Sequence, residues 1–262
     1  MRNLTMLMDY YELTMSNGYF EKGFKDKMVV FDMFYRKNPD NGGFVVSAGL
    51  EQLIEYIENM HFSKEDIEFL RSKGEFSEGF LQYLADFKFT GNIDALPEGT
   101  ICYPNTPIVT VTAPVIEAQL IETMLLLTMN FQSLIATKAS RICRTAAESG
   151  AVVMEFGARR AHGGDAAILG ARAAYIGGAA ATATVMADER FGVPAIGTMA
   201  HSWIQFFDNE YEAFKAYAEV YPDNCTLLID TYDILNSGLV NAIRVAKEVL
   251  EPAGKRLKGV RI

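Results

Sequence analysis

Apolar positions change their spacing along this chain, and those changes mark out its elements. Between residues 50 and 84 the pattern is helical. Within it, Ser63-Lys64-Glu65-Asp66 ahead of Ile67 and Leu70 has the form of a capping box, its hydroxyl placed to take a free first-turn amide. From 87 to 114 the reading is all-β: Phe87-Lys88-Phe89-Thr90 alternates, Pro97-Glu98-Gly99 and Tyr103-Pro104-Asn105 make turns, and Ile108-Val109-Thr110-Val111-Thr112 is a β-branched strand. Pro114 then opens an apolar helical run through Leu120, Met124 and Leu127, followed by a second helix over 133–148 that stops at Ser149-Gly150. At the start of the chain, Asp9 to Met15 suits a helix with Tyr10 and Tyr11 on its apolar face.

Past Gly150 the texture becomes short apolar strands alternating with helices. Strands are expected at 151–156, near 175–178, and at 194–198, 226–229 and 259–262, with helices over 210–220 and 239–250. Such alternation is the pattern of βαβ units in a parallel sheet. The fold class is therefore α/β: a sandwich-like α/β unit over 1–115, connecting helices over 116–149, and the first part of a TIM-like α/β barrel over 150–262.

Composition narrows the functional classes. Half of the 262 residues are apolar and 22% are charged, which argues for a packed core rather than disorder. The longest apolar stretches, such as 124–128 and 179–187, fall far below the roughly 18 to 20 residues a membrane helix needs. With no leader-like pattern, the expected location is the cytosol. A net charge of −9 disfavours nucleic-acid or anionic-membrane surfaces. Cys102, Cys143 and Cys225 fit reduced, mostly buried thiols better than disulfides or a zinc site.

In parallel barrels chemistry sits at the strand C-termini, and there this acidic chain places Arg, His and Asp residues. Arg159 and Arg160 beside Gly157 and His162 suit a carboxylate or phosphate, a guanidinium being a bidentate donor; they read equally as surface cations. His201, flanked by Thr198 and Ser202, reads as a nucleophile or acid/base, or as a core histidine bonded to a carbonyl. No metal-ligand spacing surrounds it. Asp230 and Asp233 follow an apolar strand; Asp233 suits a helix N-cap, and Asp230 suits a ribose-hydroxyl or metal-pyrophosphate partner. Gly163-Gly164 and Gly177-Gly178 read as tight-turn or close-packing glycines. Neither a P-loop nor a Rossmann fingerprint occurs.

Several segments in order resemble the nicotinate phosphoribosyltransferase family, a group of type II phosphoribosyltransferases. They are Asp9 to Met15, Phe89-Thr90-Gly91 with Pro97-Glu98-Gly99 and Pro104-Asn105, Phe156 to Ala161, Arg172 to Gly178, Gly197 to Trp203, and Asp230 to Asp233. The resemblance implies an irregular α/β barrel and a homodimer with shared active sites. It also implies transfer of phosphoribose from PRPP to nicotinate, with ATP and Mg²⁺, on the NAD salvage route. By the same resemblance His201 is the phosphorylated histidine; Asp230 stands beside it as the second candidate catalytic residue. Thr198 contacts nicotinate, Tyr11 reaches across the dimer to stack on the pyridine ring opposite Phe156, and Arg159 and Arg261 hold the anionic substrates. Nicotinamide-specific relatives carry an Asp where Ala183, or its neighbour Thr182, stands here.

The chain ends at Val260-Arg261-Ile262, directly before the family's Asp-Ser-Gly-Asp motif, so a partial barrel is expected, from a truncated chain or one completed by a second chain. The competing readings are a nicotinamide- or quinolinate-using relative, a catalytically silent assembly or ligand-binding module, and a generic barrel enzyme acting on sugar phosphates.

Overall fold

The β-branched run before Pro114 becomes the central strand of a three-stranded antiparallel sheet in a computed structural model that describes residues 3–262. This strand, β5 (Val109–Pro114), lies between β1 (Met28–Met33) and β3 (Asn92–Ala95). Its burial alternates strictly: Val109, Val111 and Ala113 face the core, and Thr110 and Thr112 do not. That is the period-2 pattern of a half-buried strand. A second antiparallel pair joins β2 (Val45–Val46) to β4 (Ile101–Cys102). Phe87 to Thr90, expected to alternate as a strand, is irregular; the strand starts after Gly91, where an added Cβ would sit 2.4 Å from the Ala113 Cβ.

Helices cover this sheet: α1 (Tyr10–Glu21), α2 (Leu50–Asn59), α3 (Lys64–Ser72) and α4 (Glu78–Ala85). The expected capping box begins α3. Ser63 accepts from the Asp66 amide at 3.1 Å, and the Asp66 carboxylate accepts from the Ser63 amide at 2.8 Å. Phe80, Leu81, Leu84 and Leu53 are fully buried in the core beneath.

The two connecting helices divide elsewhere than their pattern suggested. A short α5 (Val115–Leu120) ends at Ile121, and one 27-residue helix, α6 (Glu122–Glu148), follows without a break at 133. The small polar residues that suggested a new start instead serve β2 and the segment just after it. Ser133 accepts from the Ala48 amide at 3.0 Å, and Thr137 accepts from the Val46 amide at 2.8 Å. These bonds satisfy buried backbone groups from a helix face.

By backbone contacts the chain divides into a unit ending at Ala195 and a second, Ile196–Ile262; the sequence-based boundaries at 115 and 150 both lie inside the first. The first unit finishes with β6 (Met154–Glu155), α7 (Gly164–Ile176), β7 (Ala181–Thr182) and α8 (Val185–Phe191). β6 and β7 pair in parallel, and Ala195 adds one parallel bridge to Thr182. The expected strand near 175–178 is a correction: Tyr175 and Ile176 close α7, Gly177 caps it, and the strand comes three residues after Gly178. Local helix formation by the alanine-rich run 166–174 outweighs the apolar cue. The expected strand at 194–198 is reduced to that single bridge.

The second unit contains α9 (His201–Phe206), α10 (Glu210–Val220), β8 (Thr226–Leu228), α11 (Leu239–Val245) and β9 (Gly259–Arg261). β8 and β9 are parallel, with Leu228 opposite Arg261. The expected helix over 210–220 forms as written, and α11 is flanked by π-helical turns at Ile234–Gly238 and Ala246–Leu250. A core of Ile204, Phe214, Leu227, Leu228 and Val245 holds this unit.

Candidate active site

Asp230 leaves β8 two residues past its end, where the backbone is fixed from both sides. The Ile229 amide donates to the Arg261 carbonyl at 3.0 Å. An added Cβ at Gly238 would lie 2.0 Å from the Ile229 carbonyl oxygen, so only glycine lets that turn pack against the strand end. His201 is the first residue of α9, which is anchored by fully buried Ile204 and by Trp203, whose indole donates to the Ala213 carbonyl at 3.1 Å.

These supports bring two of the expected residues into contact. His201 Nε2 lies 3.0 Å from Asp230 Oδ1, and the imidazole stays about half exposed. An ionised carboxylate can only accept, so in the neutral ring the proton sits on Nε2 and Nδ1 keeps its lone pair. The arrangement is that of an oriented base or nucleophile.

A second pair lies on the same strand ends. Arg261 Nη1 donates to Thr198 Oγ1 at 2.5 Å. Thr198 keeps its own hydroxyl hydrogen to donate, and Arg261 keeps further N–H donors. A hydroxyl donor backed by a guanidinium is suited to a carboxylate or phosphate oxygen. Asp233, by contrast, is the N-cap expected of it, accepting from the Leu235 and Asn236 amides at 3.0 and 2.8 Å. Those bonds and the Asn236 side chain hold its carboxyl below the usual range.

The first unit carries the other expected residues. Phe156 and Arg159 follow β6 and are exposed; Arg159 makes no ion pair among the described residues. Their loop is held by a residue the sequence reading passed over. Glu155 accepts from the Gly157 amide at 2.5 Å with one oxygen and from the Thr182 hydroxyl at 2.7 Å with the other. An acid at the last position of a strand, directly before Phe156-Gly157, was the available signal. Because Thr182 is fully buried and its hydroxyl is engaged, Ala183 is the exposed position after β7.

Tyr11 corrects an expectation. The pattern put Tyr10 and Tyr11 on the buried face of α1, yet both are more than 40% exposed, and the buried face is Glu12, Leu13 and Ser16. The Tyr11 hydroxyl donates to Glu122 Oε1 at 2.9 Å. Partial burial, this bond and the nearby carboxylates push the phenol up to about 12. The ring is thus neutral and available at physiological pH.

Residues 6–130 match the family described as the nicotinate phosphoribosyltransferase (NAPRTase) N-terminal domain. The chain is 44% identical, over 93% of its length and 52% of theirs, to nicotinate phosphoribosyltransferase pncB2 of Mycobacterium tuberculosis. It is 47% identical to nicotinate phosphoribosyltransferase of Bacillus subtilis, covering 94% of this chain and 50% of that one. Along nearly its whole length the chain is similar to nicotinate phosphoribosyltransferases. Among solved structures, human nicotinic acid phosphoribosyltransferase superposes with a TM-score of 0.89 at 29% identity, covering 97% of this chain and 60% of that one. Nicotinate-nucleotide pyrophosphorylase from Pyrococcus furiosus gives 0.77 at 26%, covering 99% and 57%. The chain spans about half the length of the curated relatives it matches.

Two open surface grooves, of about 430 and 330 Å³, lie around Tyr35, Lys37 and Asn130 and contain none of the expected site residues. No helix among the described residues is long and apolar enough to cross a membrane.

Proposed function

We propose that this chain provides the nicotinate-transferring machinery of an NAD salvage enzyme in the cytosol. It moves the 5-phosphoribosyl group of PRPP to the ring nitrogen of nicotinate, releasing pyrophosphate, in a homodimer that couples transfer to ATP through phosphorylation of His201. The observation that carries the reading is the His201–Asp230 hydrogen bond beside the Thr198–Arg261 pair.

Substitution at the anomeric carbon passes through an oxocarbenium-like state, so the protein's task is placement and charge rather than a protein nucleophile on the sugar. Thr198 and Arg261 supply donors for an anionic oxygen. Phe156 offers an exposed ring for the pyridine face, Tyr11 of the other protomer offers the opposite one, and Arg159 takes a phosphate. Ala183 supports nicotinate over nicotinamide: an Asp there would repel the substrate carboxylate, whereas alanine leaves it room.

Asp230 keeps the His201 proton on Nε2, so Nδ1 is the nitrogen that accepts the γ-phosphoryl group. The phosphoryl group then adds roughly −1.5 to −2 charge at the strand ends, which biases how tightly pyrophosphate and product are held. No group of three potential ligand side chains that could hold a metal occurs among the described residues. Mg²⁺ would enter with ATP and PRPP, and Asp230 is a carboxylate at the strand end that could meet it there.

Incubation with radiolabelled ATP and Mg²⁺ tests the coupling. Acid-labile, base-stable label that disappears in His201→Ala and falls in Asp230→Asn is the expected result. Label that persists in His201→Ala contradicts it.

A further inference from the structure

The N-terminal helix is fastened at one end by an unusually dense set of bonds, and they converge next to Tyr11. Glu12 is fully buried, and its Oε1 accepts from the Thr123 amide at 3.0 Å and the Thr123 hydroxyl at 2.5 Å. The Asp9 amide, one turn back, donates to the same Thr123 hydroxyl oxygen at 3.1 Å. Tyr11 itself donates to Glu122, whose second oxygen accepts from Gln119 at 2.5 Å.

The residues that α1 meets, Glu122 and Thr123, sit at the first turn of α6, whose early amides lack intrahelical acceptors. A buried carboxylate there meets both the free amide and the positive end of the helix dipole. The other Glu12 oxygen is buried without a partner among the described residues, and burial raises its pKa despite the Thr123 bonds. Taking a carboxyl into this setting to bond one threonine is more than holding a surface helix in place requires. Leu13 already buries the apolar face of α1.

The consequence is geometric. Residues 9, 11 and 12 span one turn of chain, and each is tied to residue 122 or 123, more than 100 positions away. Tyr11 is thereby held with its hydroxyl anchored and its ring exposed. A ring that stacks on a substrate loses less entropy on binding when its side chain is already fixed.

We propose that Glu12 and Thr123, with Glu122, are positioning residues for Tyr11, a latch that presets the aromatic ring for nicotinate. The proposal rests on the reading of Tyr11 as the ring that stacks on the substrate.

Thr123→Val keeps the side-chain shape but removes the hydroxyl that joins Asp9 to Glu12, and Thr123→Ser restores it. Two readouts are taken on the full chain: nicotinate kinetics, and the Tyr11 ring resonance in ¹³C-tyrosine-labelled protein, assigned with Tyr11→Phe. Loss of these bonds is expected to raise the KM for nicotinate about three- to tenfold, with kcat within about twofold. The Tyr11 resonance should shift or broaden, and Thr123→Ser should behave as the parent in both. An unmoved resonance, or an unmoved KM, overturns the proposal. Tyr11→Ala separates the two ways it can fail. If Tyr11→Ala raises KM and Thr123→Val does not, the latch is wrong and the stacking role stands; if Tyr11→Ala leaves KM unchanged, the stacking role fails and takes the latch with it.

Discussion

Replacing Arg172 with methionine tests whether the most heavily bonded ion pair in the first unit holds that unit together. Arg172, on α7, is 8% exposed, and its guanidinium donates to Glu98 through Nη1 at 2.9 Å and Nη2 at 2.6 Å. Glu98 also accepts from the Gly49 and Leu50 amides at 2.5 and 3.1 Å, so one carboxylate caps α2 and clamps α7 to it. Glu51 bonds the same guanidinium from the surface, where it is 61% exposed and adds little. Removing one partner of a buried pair leaves the other charge unmatched and costs about 3–5 kcal/mol. Arg172→Met should therefore lower the unfolding free energy by that order, measured by urea denaturation followed by far-UV circular dichroism at pH 7. The double variant with Glu98→Gln should recover about 1–2 kcal/mol of it, because the orphaned charge is gone.

The pH dependence has a definite sign. Burial pushes Glu98 up, but the Arg172 and Gly49 hydrogen bonds outweigh it and leave the carboxyl below its ordinary 4.5. Its contribution is complete above pH 4.5 and is lost as pH falls through the folded value. The difference between parent and Arg172→Met should accordingly shrink in acid. A loss below about 1 kcal/mol at pH 7 would refute the buried-clamp argument.

Glu12 has the opposite sign: its raised pKa means stability is greatest below 4.5 and declines as pH rises through the folded value. Glu12→Gln should flatten that decline, seen as urea midpoints at pH 5 and pH 8, and an equal loss at both would count against it. Gly177→Ala places a methyl 2.4 Å from the Ala136 carbonyl oxygen and should cost about 1–3 kcal/mol by forcing α6 and α7 apart; an unchanged melting temperature would contradict the packing. Ala183→Asp should cut kcat/KM for nicotinate at least about tenfold through like-charge repulsion, with the loss reduced in high salt. Equal use of nicotinate by both proteins would remove Ala183 from the site.

What the sequence made legible follows from how local each signal is. The capping box at Ser63, the N-cap at Asp233 and the helix over 210–220 depend on residues within one turn, and all appear as read. The polar ends of β6 and β8 were visible as apolar runs closing on charged residues. Non-local pairings were not. The Ser133 and Thr137 hydroxyls resembled a helix start because their partners, Ala48 and Val46, lie some 90 residues earlier. Tyr10 and Tyr11 looked like a core face because nothing nearby in sequence marks Glu12 as the buried residue, which only Thr123 explains. Glu155 escaped notice for the same reason: its partner hydroxyl belongs to Thr182, on the next strand.

The proposed transfer of phosphoribose to nicotinate through a site built on His201 is tested most directly by product formation. Purified protein is incubated with nicotinate, PRPP, ATP and Mg²⁺, and nicotinate mononucleotide is followed by mass spectrometry beside a His201→Ala control. Product that depends on ATP, and that His201→Ala either loses or forms without ATP dependence, is the predicted result. ATP-dependent product at the parent rate from His201→Ala, or no product from the chain with or without the remaining length of its relatives, would contradict it.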